Sequence, residues 1–184
     1  SGYNDNWKTL STNTNWEKLA FNDKANTTTA DVTASGGTDK TKFYFSGSYT
    51  DQDGILIGNT FQRISGRLNV DHEVSKLFKF GANLSVSRTK GRRVAADNAF
   101  TTPMQIVALA PITPVRDENG ELNDRPITTY YNPLLDFEGT KNIATGFRNL
   151  SNIYGQLSFT RNFSFRSELG LDIFNQERNA YYGT

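Results

Sequence analysis

The feature that most constrains this chain is a strict alternation of apolar and polar residues, held over ten or so positions at a time and repeated along the sequence. Phe43, Phe45, Gly47 and Tyr49 fall on one face of a strand, with Lys42, Tyr44, Ser46, Ser48 and Thr50 on the other. The same pattern sets Ile64, Gly66, Leu68 and Val70 against Arg63, Ser65, Arg67, Asn69 and Asp71. It then sets Phe78, Phe80, Ala82, Leu84 and Val86 against Lys79, Gly81, Asn83, Ser85 and Ser87. A period of two is the signature of extended chain, because successive side chains of a strand point to opposite faces. Ala30, Val32 and Ala34 begin the series, and Gly36 to Lys40 supplies the residues of a tight turn before the next strand.

A second block repeats the design. Ile153, Gly155, Leu157 and Phe159 alternate with Asn152, Tyr154, Gln156, Ser158 and Thr160. After a turn at Arg161-Asn162, Phe163, Phe165, Leu169, Leu171 and Ile173 oppose Ser164, Arg166, Glu168, Gly170 and Asp172. All five prolines (Pro103, Pro111, Pro114, Pro126 and Pro133) fall between the two blocks, and proline is confined to sheet edges and loops because it has no N–H for the ladder. The chain therefore divides into a polar start at 1–27, four strands within 28–90, a long insertion at 91–145, and two strands within 146–184 followed by the start of another loop. Six strands in three hairpins, with short internal turns and longer connections between hairpins, predict an all-β, antiparallel, up-and-down architecture. That asymmetry of turns and loops is the habit of transmembrane barrels.

Alternation alone also fits a soluble sheet with one face in water. Strands of about ten residues suit a bilayer crossing, and soluble strands average about five or six. Aromatic residues near strand ends, including Phe43, Phe45, Phe78, Phe80, Phe159, Phe163 and Phe165, match the girdles of outer-membrane barrels. They equally suit the core of a soluble β-sandwich that binds carbohydrate or protein, so the pattern leaves both readings open. No apolar run is long enough for a membrane helix, and the mean hydropathy of −0.58 does not exclude a barrel, whose polar strand faces dilute the average. The net charge of +1 comes from scattered residues, which gives no footprint for nucleic acid.

Particular stretches add a resemblance. Thr14-Asn15-Trp16-Glu17-Lys18-Leu19-Ala20-Phe21, the run from Val32 through Ser35-Gly36-Gly37-Thr38-Asp39-Lys40 to Tyr49, and Asp53-Gly54-Ile55 resemble the early barrel of SusC/RagA-type TonB-dependent transporters. The similarity continues through Phe61 to Val70 and Lys79 to Lys90. It implies a fragment of a transmembrane barrel of about 22 strands, in the outer membrane of a Bacteroidetes-type bacterium. It further implies uptake of bulky nutrients, glycans or peptides, with a SusD-like lipoprotein as lid and the TonB complex acting through a plug that has no counterpart here. In that setting 1–27 and 91–145 become outer, extracellular loops, and outer-membrane lipid covers the apolar face. A plug encoded upstream would set aside a passive porin or adhesin barrel.

On this reading the polar face, with Arg63, Arg67, Asn69, Asp71, Arg166, Glu168 and Asp172, lines a hydrated lumen. An insertion as long as 91–145 is uncommon unless functional. Within it, Arg116, Tyr130, Tyr131 and Asn132 are candidates for contact with substrate or lid, by aromatic faces and by amide or guanidinium groups. The alternative is that Tyr130 and Tyr131 pack the loop on the rim. Met104 to Leu109 has the apolar pattern of a short helical turn.

No enzyme, metal or cofactor is expected. There is no cysteine, and His72, beside Asp71 and Glu73, reads as a rim residue because zinc needs three or four ligands at defined spacing. Asp117-Glu118-Asn119-Gly120-Glu121 has its glycine in the wrong place for a calcium-binding EF-hand and reads as a hairpin turn. Lys90, Arg92 and Arg93 form a basic cluster at a strand end, either a solvated rim or a site for an anion or a lipopolysaccharide phosphate.

Overall fold

The computed structural model describes residues 12–94, 104–125, 130–138 and 141–181. Six strands form one antiparallel sheet in sequence order: β1 (Thr27–Gly37), β2 (Thr41–Asp53), β3 (Thr60–Glu73), β4 (Phe78–Arg92), β5 (Lys141–Ser158) and β6 (Ser164–Tyr181). Three short helices, α1 (Trp16–Ala20), α2 (Met104–Ala108) and α3 (Leu134–Glu138), lie outside it. The sheet is unclosed, as a piece of a barrel must be, since β1 pairs only with β2 and β6 only with β5.

The register joins the faces read from the sequence into continuous surfaces. Phe43 stands opposite Val70, Val70 opposite Ala82, Ala82 opposite Ile153, and Ile153 opposite Leu169. One row along, Phe45, Leu68, Leu84, Ser151 and Leu171 share the same face. Because side chains alternate strictly, one such row fixes the facing of every other residue in the sheet.

Two strands run further than the side-chain pattern suggests. β4 continues to Arg92 and β5 begins at Lys141, so the expected insertion of 91–145 is shortened at both ends. The pairs Gly91–Ala144 and Arg92–Ile143 explain this: the backbone ladder continues past the point where apolar alternation fades, since its hydrogen bonds do not depend on side-chain polarity. β6 likewise holds its pairing through Tyr181.

The three tight connections, 38–40, 74–77 and 159–163, lie at one end of the sheet, and the 54–59 loop and the facing ends of β4 (Arg92) and β5 (Lys141) lie at the other. Thr38 closes the first turn, its hydroxyl accepting from the N–H groups of Lys40 (3.3 Å) and Thr41 (3.1 Å). Ser75 does the same for Leu77 and Phe78.

Among the described residues, nothing packs on the apolar face. Leu169 is 69% exposed and Ile153 57%. The buried hydrophobic cluster of the described residues lies instead at the long-loop end, where Trp16 and Ala20 of α1 meet Val94, Ile106, Leu109 and Phe137. The polar start of the chain thus holds a helix that its sequence pattern did not reveal. Asn15 caps it by accepting from the Lys18 N–H at 2.9 Å, and the chain returns to extended geometry at Phe21. Trp16 Nε1 donates to the Ala110 carbonyl (3.2 Å) and to Thr113 Oγ1 (3.1 Å), while the Thr14 N–H donates to the Pro111 carbonyl at 2.7 Å. On the other side, Ile57 N–H donates to the Ala20 carbonyl at 3.0 Å and ties α1 to the 54–59 loop.

Trp16 is therefore the keystone of the loop end. Trp16→Ala should remove about 3–5 kcal/mol of packing there. In the full-length protein, limited proteolysis read by mass spectrometry is expected to cut faster within 104–125 while the β signal in circular dichroism stays unchanged. Equal cleavage of both proteins would show that the loops hold together without it.

Candidate functional site

The polar face is the most organised surface of the sheet. Arg63, Arg67, Asn69 and Asp71 of β3 and Arg166, Glu168 and Asp172 of β6 share it, through rows such as Asp71–Gly81–Tyr154–Glu168. Gly81 has a specific reason to be there. A Cβ at this position would run into the Tyr154 ring and the Asp71 carboxylate, so only glycine lets the tyrosine lie across β4 and donate its hydroxyl to Asp71. The guanidinium of Arg166 sits over the same ring, 3.7 Å from its centroid, and reaches the Glu168 carboxylate at 3.3 Å.

The next row is a ladder of amides. Asn83 Nδ2 donates to Asn152 Oδ1 at 2.9 Å, and Asn152 in turn donates to Glu168. Beyond it, Arg148 grips Asp172 with two hydrogen bonds, at 3.1 and 2.8 Å. Both partners are about half exposed, so this pair sets side-chain direction more than it stabilises the fold. Arg67, Asn69, Asn83, Leu150, Asn152 and Asp172 border a shallow hollow of about 610 Å³, with Gly170 leaving room beside it. Its donors and acceptors can hold water or a polar solute. Leu150 and Phe174 add apolar spots on the same face.

Of these groups, Arg148, Tyr154 and the Asn83–Asn152 pair were not singled out from the sequence. Only the register places Tyr154 opposite a glycine or Arg148 diagonal to Asp172, so no local pattern could have found them.

In the loop region the four candidates behave differently. Asn132 is buried, with its backbone N–H donating to the Asp124 carbonyl (2.9 Å), its Nδ2 to the Val115 carbonyl (2.9 Å), and its Oδ1 accepting from Leu134 N–H (3.1 Å). It builds the loop from within. Tyr130 packs against the hydrophobic cluster. Tyr131 is 46% exposed, with the Arg125 guanidinium 4.7 Å from its ring centroid and donating to its hydroxyl at 2.5 Å. Arg116 flanks a hairpin turn and donates to the Gly120 carbonyl at 3.0 Å. That turn is the one expected at Asn119-Gly120: Gly120 has φ of 83°, Arg116 bridges Leu122, and the Asp117 carboxylate accepts from the N–H groups of Asn119 and Glu121. Among the described residues no group of three or more His, Asp or Glu is placed to hold a metal ion. His72 hydrogen-bonds Thr41 at 2.7 Å and packs on Phe80.

No protein-family model matches the chain. Over 87 residues it is 33% identical to a TonB-dependent receptor of Formosa agariphila, a stretch covering 47% of this chain and 9% of that protein. Two further TonB-dependent receptors of the same organism are 24% identical over 80% of the chain and 25% identical over 83%, with 14% and 15% of their own lengths covered. Among solved structures, the RagAB peptide importer in its closed-closed state superposes with a TM-score of 0.75 over 92% of this chain and 20% of that one, at 23% identity. Its open-open state gives 0.72 over 92% and 20%, at 24% identity. The chain thus spans 9% to 15% of the curated relatives it matches. The resemblance is thus to TonB-dependent receptors in sequence and to the RagAB importer in fold.

The clearance at Gly81 yields a test of the polar network. Gly81→Ala is expected to push Tyr154 off Asp71 and to cost about 1–3 kcal/mol. Gly66→Ala, whose added carbon would meet nothing nearer than 3.8 Å, is the control and should stay within about 0.5 kcal/mol. Urea unfolding of the full-length protein in detergent compares them, and equal midpoints would mean that the Tyr154 contact carries no stability.

Proposed function

We propose that this chain is part of the barrel wall of a TonB-dependent outer-membrane transporter that takes up bulky nutrients, glycans or peptides, with a SusD-like lipoprotein as external lid. The observation that carries the reading is the largely apolar face shared by all six strands, with no layer of described residues on it. Its height fits a membrane. From Phe78 to Arg88 on β4 the face runs about 33 Å along the strand, which a tilt of about 40° reduces to about 25 Å, the height of the apolar band of outer-membrane barrels.

A soluble β-sandwich would need a second layer against Leu68, Leu84, Ile153 and Leu171, and lipid supplies that cover in our reading. The opposite face, with Arg63, Arg67, Asn69, Asp71, Arg166, Glu168 and Asp172, then lines a hydrated lumen, and the tight-turn end faces the periplasm. TonB drives uptake through a plug outside this stretch. The long-loop end forms part of the mouth, where Tyr131 with Arg125 and Arg116 offers aromatic and guanidinium groups to substrate or lid. Asn132 and Tyr130 hold that surface in place from beneath. RagAB is a peptide importer, while the polar groups described here suit glycan hydroxyls and peptide amides alike.

Single cysteines at Asn119 and at Asp39, both exposed and neither needed through its side chain, test the orientation. In intact cells expressing the full-length protein, a membrane-impermeant thiol reagent is expected to label the first and spare the second. Labelling of both alike would refute the assignment of ends. Tyr131→Ala should weaken capture of substrate or association of the lid by a factor of about ten or less while leaving barrel assembly intact, since one rim aromatic contact is worth about 0.5–1.5 kcal/mol. Unaltered uptake and lid association would leave this part of the loop as a spacer.

A further inference from the structure

On the apolar face, the row holding Tyr49, Ile64, Arg88 and Phe147 is the last before the surface turns polar. The next row reads Asp51, Gln62, Lys90, Thr145 and Glu177. Arg88 and Lys90 are thus two exposed cations on the lipid side of a single strand, one at the edge of the band and one just past it. We propose that they form a binding site for a phosphate group of the outer-leaflet glycolipid. This rests on the barrel reading above, which supplies the membrane and its orientation.

Several observations support the assignment. Residues two apart on a strand lie about 6.8 Å apart on one face, so a guanidinium and an ammonium can converge on one phosphate between them. Neither cation has an ion pair among the described residues. The carboxylates in the row, Asp51 and Glu177, stand two strands to either side, about 10 Å away, and Asp51 accepts from the Tyr49 hydroxyl at 3.3 Å. Ile64 and Phe147 flank Arg88 on either side, and under the lipid of the barrel reading such apolar neighbours strengthen a charge-assisted bond made there. Side by side the two cations repel, and a shared dianion converts that repulsion into attraction. Arg92, the next outward residue of β4, donates instead to the Phe137 carbonyl at 2.7 Å and leaves the two below it as the anion site.

The alternative is that both side chains reach past the lipid into water and hold nothing. Native mass spectrometry of the full-length protein, extracted from outer membranes in detergent, separates the two. Bis-phosphorylated lipid A should form a saturable adduct that Arg88→Gln/Lys90→Gln weakens by about tenfold or more, the scale of losing one hydrogen bond to a charged group. Lys90→Gln alone should weaken it by a smaller factor and guards against misassembly of the double variant. Lipid A stripped of phosphate should form no saturable adduct, and inorganic phosphate at the same concentration should not displace the lipid. Unchanged binding by both variants, equal binding of the stripped lipid, or displacement by inorganic phosphate would each overturn the proposal. If the unaltered protein is not recovered from outer membranes as a heat-modifiable barrel, the barrel reading itself fails. If it is so recovered and the variants bind lipid A as it does, only the lipid site falls.

Discussion

Everything in this structure depends on the pairing register of the six strands. A slip of one residue at any ladder would turn that strand over, placing Arg63, Arg67 and Asp71 among Phe45, Leu84 and Ile153. Three short turns hold the register within hairpins, two of them closed by Thr38 and Ser75 hydroxyls. Between hairpins the work falls on cross-strand side chains, and Gly81 beneath Tyr154 is the clearest instance, because the aromatic ring fits the ladder at only one offset. A sheet aligned in this way has one face that water cannot solvate cheaply. Each large apolar side chain there gives about 1.5–3 kcal/mol when taken out of water, and no layer of described residues takes it.

The exceptions to alternation are as informative as the rule. β5 places Asn149 and Ser151 on the apolar face and Leu150 on the polar one, a local inversion in the middle of the strand. A lone amide or hydroxyl facing hydrocarbon would be costly. Here the Ser151 hydroxyl donates to the Asn149 amide oxygen, so each satisfies part of the other without help from solvent. On the polar face Leu150 lies between Ser85 and Asp172 and narrows the hollow formed by the asparagines.

That inversion also shows how far the sequence could be read. β2, β3 and β4 were legible almost residue by residue, because their alternation is unbroken and a period of two has no other physical source at that length. β5 was legible only from about Asn152 onward, since Phe147 to Ser151 carries no consistent face. The ends of β4 and β5 lay hidden for a related reason: Gly91 and Ala144 have nothing to alternate. α1 is five residues long, too short for a helical period to show, and its stability comes from Trp16 bonding to groups more than ninety residues away. Asn132 drew notice as an amide in a long loop, and its burial follows from three hydrogen bonds to backbone groups that no local reading could supply.

The two ends of the sheet are built on different principles, and this bears on function. At the tight-turn end the chain reverses within a few residues and is held by local hydrogen bonds, so it has little freedom beyond that of the strands. At the other end, α1, the 54–59 loop and the stretches 104–125 and 130–138 are bound by one small cluster around Trp16, Ile106, Leu109 and Phe137. Such a cluster opens at a lower free energy than six paired strands, so the loop end can rearrange as a unit while the wall keeps its register. In the function we propose, a mouth that admits a bulky solute and closes beneath a lid needs that separation. The exposed Tyr131–Arg125 pair rides on the part that can move, whereas the Asp71–Tyr154–Arg166 network is fixed to the part that cannot.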